Sequence, residues 1–383
     1  MLSQYKLKDY NFRLIIPVVL LSILGILLVG SADASLQSRQ MYGVIAGLAV
    51  MVVVSLVDYS WILNFSWILY FVNIGLLILV VAAGRVRKGA SRWISIGGLQ
   101  FQPTELTKIF LILFFSMYFM KHENTINTRQ TLIRSFVLMV PSLVLILMQP
   151  DLKNTITIAV ILFILLFAAG LSYKRMGIIL ATIAAVAVLI LLLVTKTDLP
   201  ILKEYQRNRI ITFFSMDSGE YSESAIQQEN SIMAIGSGEL TGKGLNNNKV
   251  SSSNKGNFVA ELQNDFIFAV AGEELGFIGC VFIILLLFLV VAECIRMGQR
   301  AKDLSGTLIC DGIASLIAIQ SFINICVATG LFPNTGTPLP FVSYGLTSLF
   351  SLFLGIGLVL NVGLQNRNYF SLEGTGKYAH NNK

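Results

Sequence analysis

Charge is scarce in this chain. Only 13% of its 383 residues are Asp, Glu, Lys or Arg, against 55% hydrophobic. With a mean hydropathy of +0.74, this composition excludes a soluble globular protein, whose surface needs far more charge; the excess apolar surface must face lipid. Histidine is scarcer still. His122 and His380 are the only two, which all but excludes a His-ligated metal site or a His general base. The four cysteines, Cys280, Cys294, Cys310 and Cys326, lie in or beside apolar runs with no CxxC spacing. They read as small core hydrophobes rather than metal ligands or disulfides. Acidic residues are outnumbered, giving a net charge of +7, but the basic residues sit in short clusters between apolar runs. That pattern orients a membrane protein and does not bind nucleic acid. No small-residue cleavage site follows the first apolar run cleanly, so it reads as an uncleaved helix.

What is present is a series of runs long enough to cross about 30 Å of hydrocarbon. Their cores are 14–29, 41–57, 62–83, 106–120, 132–148, 156–171, 176–194, 277–292, 312–330 and 346–364. All should be helices, because an open strand leaves backbone groups unpaired in lipid. The expected fold is an all-α integral membrane protein of about ten transmembrane helices. It forms one domain over 1–383, with one long extracytoplasmic loop, about 195–276, between the seventh and eighth spans. The basic clusters, Lys121, Arg129 and Arg134, then Lys174 and Arg175, then Arg296, Arg300 and Lys302, fall on one side if both termini are cytoplasmic.

One short loop breaks that rule. Arg85, Arg87, Lys88 and Arg92 lie between the third and fourth spans, on the outer side. Such charge suits a diphosphate or another anionic headgroup; the alternative is contact with anionic lipid, aided by an interfacial Trp93. Charges at membrane depth are functional hypotheses by default. Glu105 and Lys108, three apart on one helical face, offer an anion-site cation or a structural ion pair. Asp151 offers a site role or an N-cap for the sixth span. Gln320 and Asn324 read mainly as interhelical glue. Asp265 stands where the long loop enters the eighth span, and desolvation there would raise its pKa as a general base requires. Glu273 and Glu274 lie two turns deeper, and their bland reading is packing plus a buried pair with a basic residue.

Five of these segments, in order, resemble the SEDS family of bacterial cell-wall polymerases. They are Lys88-Gly89-Ala90-Ser91-Arg92-Trp93-Ile94 with Gln102-Pro103-Thr104-Glu105-Leu106-Thr107-Lys108, then Gln149-Pro150-Asp151-Leu152, then Ser231–Gly238 with Gly242-Lys243-Gly244, then Asp265-Phe266-Ile267-Phe268-Ala269, and Pro333 to Gly345. The resemblance implies a peptidoglycan glycosyltransferase that polymerises lipid II at the outer face of the bacterial cytoplasmic membrane. It also implies a class B penicillin-binding protein as partner. Asp265 becomes the essential carboxylate, and Lys88, Arg92, Lys108 and Arg209 become cations for the diphosphate. Glu105, Asp151, Glu274, Ser343 and Tyr344 become supporting residues, and a divalent cation, magnesium or manganese, becomes an assistant whose ligands the sequence does not identify. Departures cluster before the key carboxylate: the family reads Pro-Glu-Ala-His-Thr where this chain has Ala260-Glu261-Leu262-Gln263-Asn264. Ser91 replaces an Arg, and Leu346 stands where a second Gly is usual. A lipid II flippase and a non-catalytic scaffold are the rival readings; charges gathered at one face rather than the midplane favour the enzyme.

Overall fold

A computed structural model describes residues 10–83, 85–87, 90–96, 99–196, 223–246 and 262–377. Lys88 and Arg209 lie outside the described residues. Each of the ten apolar runs corresponds to a helix. These are α1 (Phe12–Ala32), α2 (Ala34–Ser55), α4 (Ser66–Ala83), α5 (Pro103–Lys121), α6 (Arg129–Met148), α7 (Leu152–Ala168), α8 (Tyr173–Lys196), α10 (Ile267–Gly298), α11 (Leu304–Ala328) and α12 (Leu346–Lys377). Two further helices, α3 (Tyr59–Asn64) and α9 (Glu223–Ser237), are short. Among the described residues, seven helices are long and apolar enough by length and composition to cross a membrane, and α4 and α7 are shorter apolar helices. Asp33, Thr128, Asp151 and Asp303 each accept a hydrogen bond from a main-chain amide in the first turn of the helix that follows, closing its orphan donors.

The helices pack as α1 on α2 and α10, α2 on α12, α10 on α11, and α11 on α5 and α7. In lipid this association comes from close van der Waals contact, which small residues permit. A Cβ on Gly25 would lie 2.7 Å from the Phe341 carbonyl oxygen, so only glycine lets α1 reach the chain there. Helix α4 meets α5 through rings: Phe114 stacks on Tyr70 at 4.5 Å and takes Trp67 edge-on at 5.0 Å.

Three features refine the sequence expectations. The third span is two helices, α3 and α4, meeting at Phe65, whose amide turns back to the Ile62 carbonyl at 3.0 Å. The basic loop after it is an antiparallel three-stranded sheet, β1 (Arg85–Arg87), β2 (Ala90–Ile96) and β3 (Leu99–Phe101), in that order. Pairing satisfies the backbone of a segment whose Val86, Trp93, Ile94, Ile96 and Phe101 are strand formers. The loop expected over 195–276 is also partly structured. It holds α9 and the first turns of α10, which begins at Ile267.

Helix α10 breaks at Gly276 (φ 66°, ψ −166°), and the turn after α9 closes the break. The Glu273 and Glu274 carbonyls accept from the Lys243 and Gly244 amides at 2.9 and 3.0 Å. The Phe277 and Ile278 amides donate to Glu239 and Leu240 at 2.9 and 3.2 Å. These four bonds pair backbone groups on both sides of the kink. A Cβ on Gly238 would sit 1.9 Å from the Gly272 carbonyl oxygen, which is why this turn needs glycine. Glu273 pairs with Lys243 at 2.9 Å, the packing role foreseen for it, and Glu274 accepts from Ser31.

Alternation of the spans brings the starts of α2, α5, α7, α10 and α12 to one end of the bundle, with Asp265. The starts of α3, α6, α8 and α11 lie at the opposite end, where a polar clasp joins the α2–α3 turn to α12. Asn361 accepts from the Tyr59 amide at 2.9 Å and donates to the Ser55 carbonyl at 2.8 Å. Gln365 donates to Asp58 at 2.6 Å, and Tyr59 donates to Asp303 at 3.0 Å.

Candidate active site at the Asp265 end

Asp265 is half-buried in the turn that leads into α10. Three residues from two elements fix the main chain beneath it. From α11, Asn324 donates one amide hydrogen to the Asp265 carbonyl at 2.8 Å and the other to the Thr337 carbonyl at 2.7 Å. From the segment between α11 and α12, the Ser343 hydroxyl donates to the Asn264 carbonyl at 2.6 Å, and the Tyr344 amide donates to Gln263 at 2.8 Å. Ser343 Oγ also accepts from the Leu339 amide at 2.7 Å. Asn324 therefore acts as the expected glue, but on the site's own backbone. The departures at Gln263 and Asn264 enter this arrangement through their carbonyls, which any residue supplies.

Gly336 lies directly against the carboxylate. Its φ of +72° is left-handed, and a Cβ there would stand 3.1 Å from Asp265 Oδ2 and 3.7 Å from Lys153 Nζ. The Lys153 ammonium, in the first turn of α7, donates to the Gly336 carbonyl. Lys153 escaped the sequence reading. The only signal for it is its place one residue after Gln149-Pro150-Asp151-Leu152, a segment already expected at this end.

The two expected diphosphate cations that the structure describes are engaged elsewhere. Arg92 donates through Nε to the Gln149 carbonyl at 3.3 Å and through a terminal nitrogen to the Pro150 carbonyl, and lies 3.9 Å from Asp151 Oδ1. It fastens the sheet to the α6–α7 turn. Asp151, fully buried, is the N-cap of α7; it accepts from Asn154 at 2.9 Å and from Gln102 at 3.2 Å. Lys108 is 1% exposed, and its Nζ lies 2.9 Å from both Glu105 oxygens. Its charge is matched inside the protein, so the structural alternative for this pair holds. Glu274 stands at the α10 break rather than beside Asp265.

No group of three or more His, Cys, Asp or Glu among the described residues is placed to hold a metal ion, and the charged neighbour across Gly336 from Asp265 is an ammonium.

The family model described as "Cell cycle protein", covering the FtsW, RodA and SpoVE proteins, matches residues 11–368. The probable peptidoglycan glycosyltransferase FtsW of Trichlorobacter lovleyi is 33% identical over 373 residues, covering 94% of each chain. The peptidoglycan glycosyltransferase MrdB of Escherichia coli is 30% identical over 354 residues, covering 90% of this chain and 92% of its own. Among solved structures, a chain of a peptidoglycan synthase complex that coordinates polymerization and crosslinking superposes with a TM-score of 0.77. It is 28% identical and covers 93% of this chain and 98% of its own.

Proposed function

We propose, from the premise that the chain belongs to the SEDS family of bacterial cell-wall polymerases, that Asp265 is the general base with which it polymerises lipid II. The protein is a peptidoglycan glycosyltransferase. The observation that carries the assignment is a carboxylate whose backbone is held by Asn324, Ser343 and Tyr344 and whose face abuts a residue with no side chain. A base must be held within hydrogen-bond reach of the proton it takes, and rigid main-chain anchoring supplies that.

In the reaction a sugar hydroxyl of one lipid-linked disaccharide attacks the anomeric carbon of another. Asp265 takes the hydroxyl proton, the new glycosidic bond forms, and the bond to the undecaprenyl diphosphate breaks with its electron pair leaving on the diphosphate. Arg92 and Asp151 act one layer back, holding the sheet and the start of α7 in register with the site. Lys121, Arg129, Lys174, Arg175, Arg300 and Lys302 all lie at the end opposite Asp265. That supports an orientation with both termini cytoplasmic and the site at the outer face. The partner we assign is a class B penicillin-binding protein, which would crosslink the strands this chain makes. The similar chain from a complex that couples polymerization to crosslinking supports that pairing.

Purified chain with its partner, given lipid II in detergent, should form glycan polymer. Asp265→Asn should lower the rate about 10²–10⁴-fold, the usual contribution of a positioned base, with an unchanged melting temperature. Undiminished polymer from that variant would overturn the assignment of the base, and lipid II movement across liposomes without polymer would favour a flippase.

A further inference from the structure

The expected diphosphate cations Arg92 and Lys108 are occupied by protein partners, yet a departing diphosphate needs positive charge beside it. Lys153 is placed to supply it. The geometry points to Lys153 as a further catalytic residue, whose ammonium binds the diphosphate of the donor lipid beside Asp265 and takes up the charge that develops as it leaves.

Three observations carry this. The Asp265 carboxylate and the Lys153 ammonium both border one point, 3.1 and 3.7 Å from a Cβ position on Gly336. A hydroxyl giving its proton to Asp265 holds the anomeric carbon about 3–3.5 Å away, so the diphosphate on that carbon falls within the reach of a lysine next to the base. Second, an ammonium has three N–H groups, and among the described residues Lys153 spends only one, on the Gly336 carbonyl. The remaining hydrogens are available to phosphate oxygens. Third, no carboxylate among the described residues lies within ion-pair distance of Lys153, so its charge is not matched as that of Lys108 is. Lys153 is half-buried at the start of a helix, where the oriented amides of the first turn also favour an anion. Donation to Gly336 fixes the ammonium and sets the Gly336 carbonyl, so the cation and the segment next to the base are positioned together. No proton moves on Lys153: it stays an ammonium throughout, and the electron pair of the broken bond stays with the diphosphate it holds.

This inference rests on the reaction proposed above and deepens it. The alternative is that Lys153 only braces the Gly336 segment. Lys153→Gln separates the two, because glutamine keeps an N–H donor for the Gly336 carbonyl and removes the charge. Two measurements apply to the chain with its partner: polymer formed from lipid II, and binding of undecaprenyl diphosphate itself, which needs no turnover. Lys153→Gln is expected to fold with an unchanged melting temperature, to bind undecaprenyl diphosphate at least tenfold more weakly, and to polymerise at least tenfold more slowly. Lys153→Arg should recover most of both. Wild-type diphosphate affinity in Lys153→Gln overturns the inference, as does a wild-type polymerisation rate. Asp265→Asn is the control. If it still polymerises, the base assignment falls while the diphosphate binding still decides the role of Lys153.

Discussion

The two ends of this bundle are built from the same polar groups and put them to different uses. At the end opposite Asp265, side chains bond to one another and to backbone until a turn is locked on a helix: Asn361 on Ser55 and Tyr59, Gln365 on Asp58, Tyr59 on Asp303. At the Asp265 end, Asn324, Ser343 and Tyr344 hold the main chain beneath the carboxylate rather than the carboxylate itself. One end uses hydrogen bonds to close the fold. The other uses them to hold a reactive group still. Substitutions at the clasp should therefore change stability alone, and substitutions around Gly336 should change turnover more than stability.

The largest loss of stability should come from a pair at the Asp265 end that behaves like the clasp. Lys108→Met strands the Glu105 carboxylate with about 4% exposure, and an uncompensated buried charge costs about 3–5 kcal/mol. The double change Glu105→Leu with Lys108→Met removes both charges and should recover most of that loss in melts of the purified chain. If the single and double variants melt together, the pair is not the structural brace that its geometry describes.

Next comes Gly336→Ala. The left-handed backbone costs about 1–2 kcal/mol for any residue with a Cβ, a modest fall in melting temperature. The methyl would press on Asp265 Oδ2 and approach Lys153 Nζ, and an ångström of misplacement near the chemistry costs on the order of 10²-fold in rate. Polymerisation should therefore drop far more than stability. A variant losing both in proportion would mean that Gly336 serves only the fold.

Much of this was legible in the sequence, for physical reasons. Lipid demands continuous apolar runs, so all ten spans announce themselves; Asp265 is conspicuous because a carboxylate at a span boundary is costly. The cation side was hidden. A sequence offers the Glu105–Lys108 pair through its i,i+3 spacing, but not the Gln149 and Pro150 carbonyls that occupy Arg92. The contact between Lys153 and Gly336 joins residues 183 apart in sequence, which no helical or strand periodicity encodes. Helix α9 went unread because its composition is too polar to stand out inside a long loop, and the sheet because its strands, apart from β2, are three residues long. What periodicity governs was visible, and what distant packing governs was not.

The smallest effect tests the clasp from the other side. Burial alone would push the Asp58 carboxyl up, but the hydrogen bond from Gln365, the Ser60 amide and hydroxyl, and the charge of Lys302 outweigh it and hold Asp58 below its ordinary value of 3.8. A carboxyl with a lowered folded-state pKa stabilises the fold above its unfolded pKa and loses that contribution as the pH falls through the folded one. Gln365→Leu removes the strongest of these opposing contacts. The melting-temperature gap between the wild-type chain and this variant should be present at neutral pH and narrow as the pH falls below about 3.8. The effect is small because Asp58 is partly exposed and solvent screens it. Polymer formation at neutral pH should be unchanged, since the clasp lies at the far end of the bundle from Asp265. A pH-independent gap would assign the contribution of Gln365 to its bonds with Asn361, at 3.0 Å, and with the Lys302 ammonium. A lost polymerisation rate would show that the two ends are coupled, and the division of labour between them would fail.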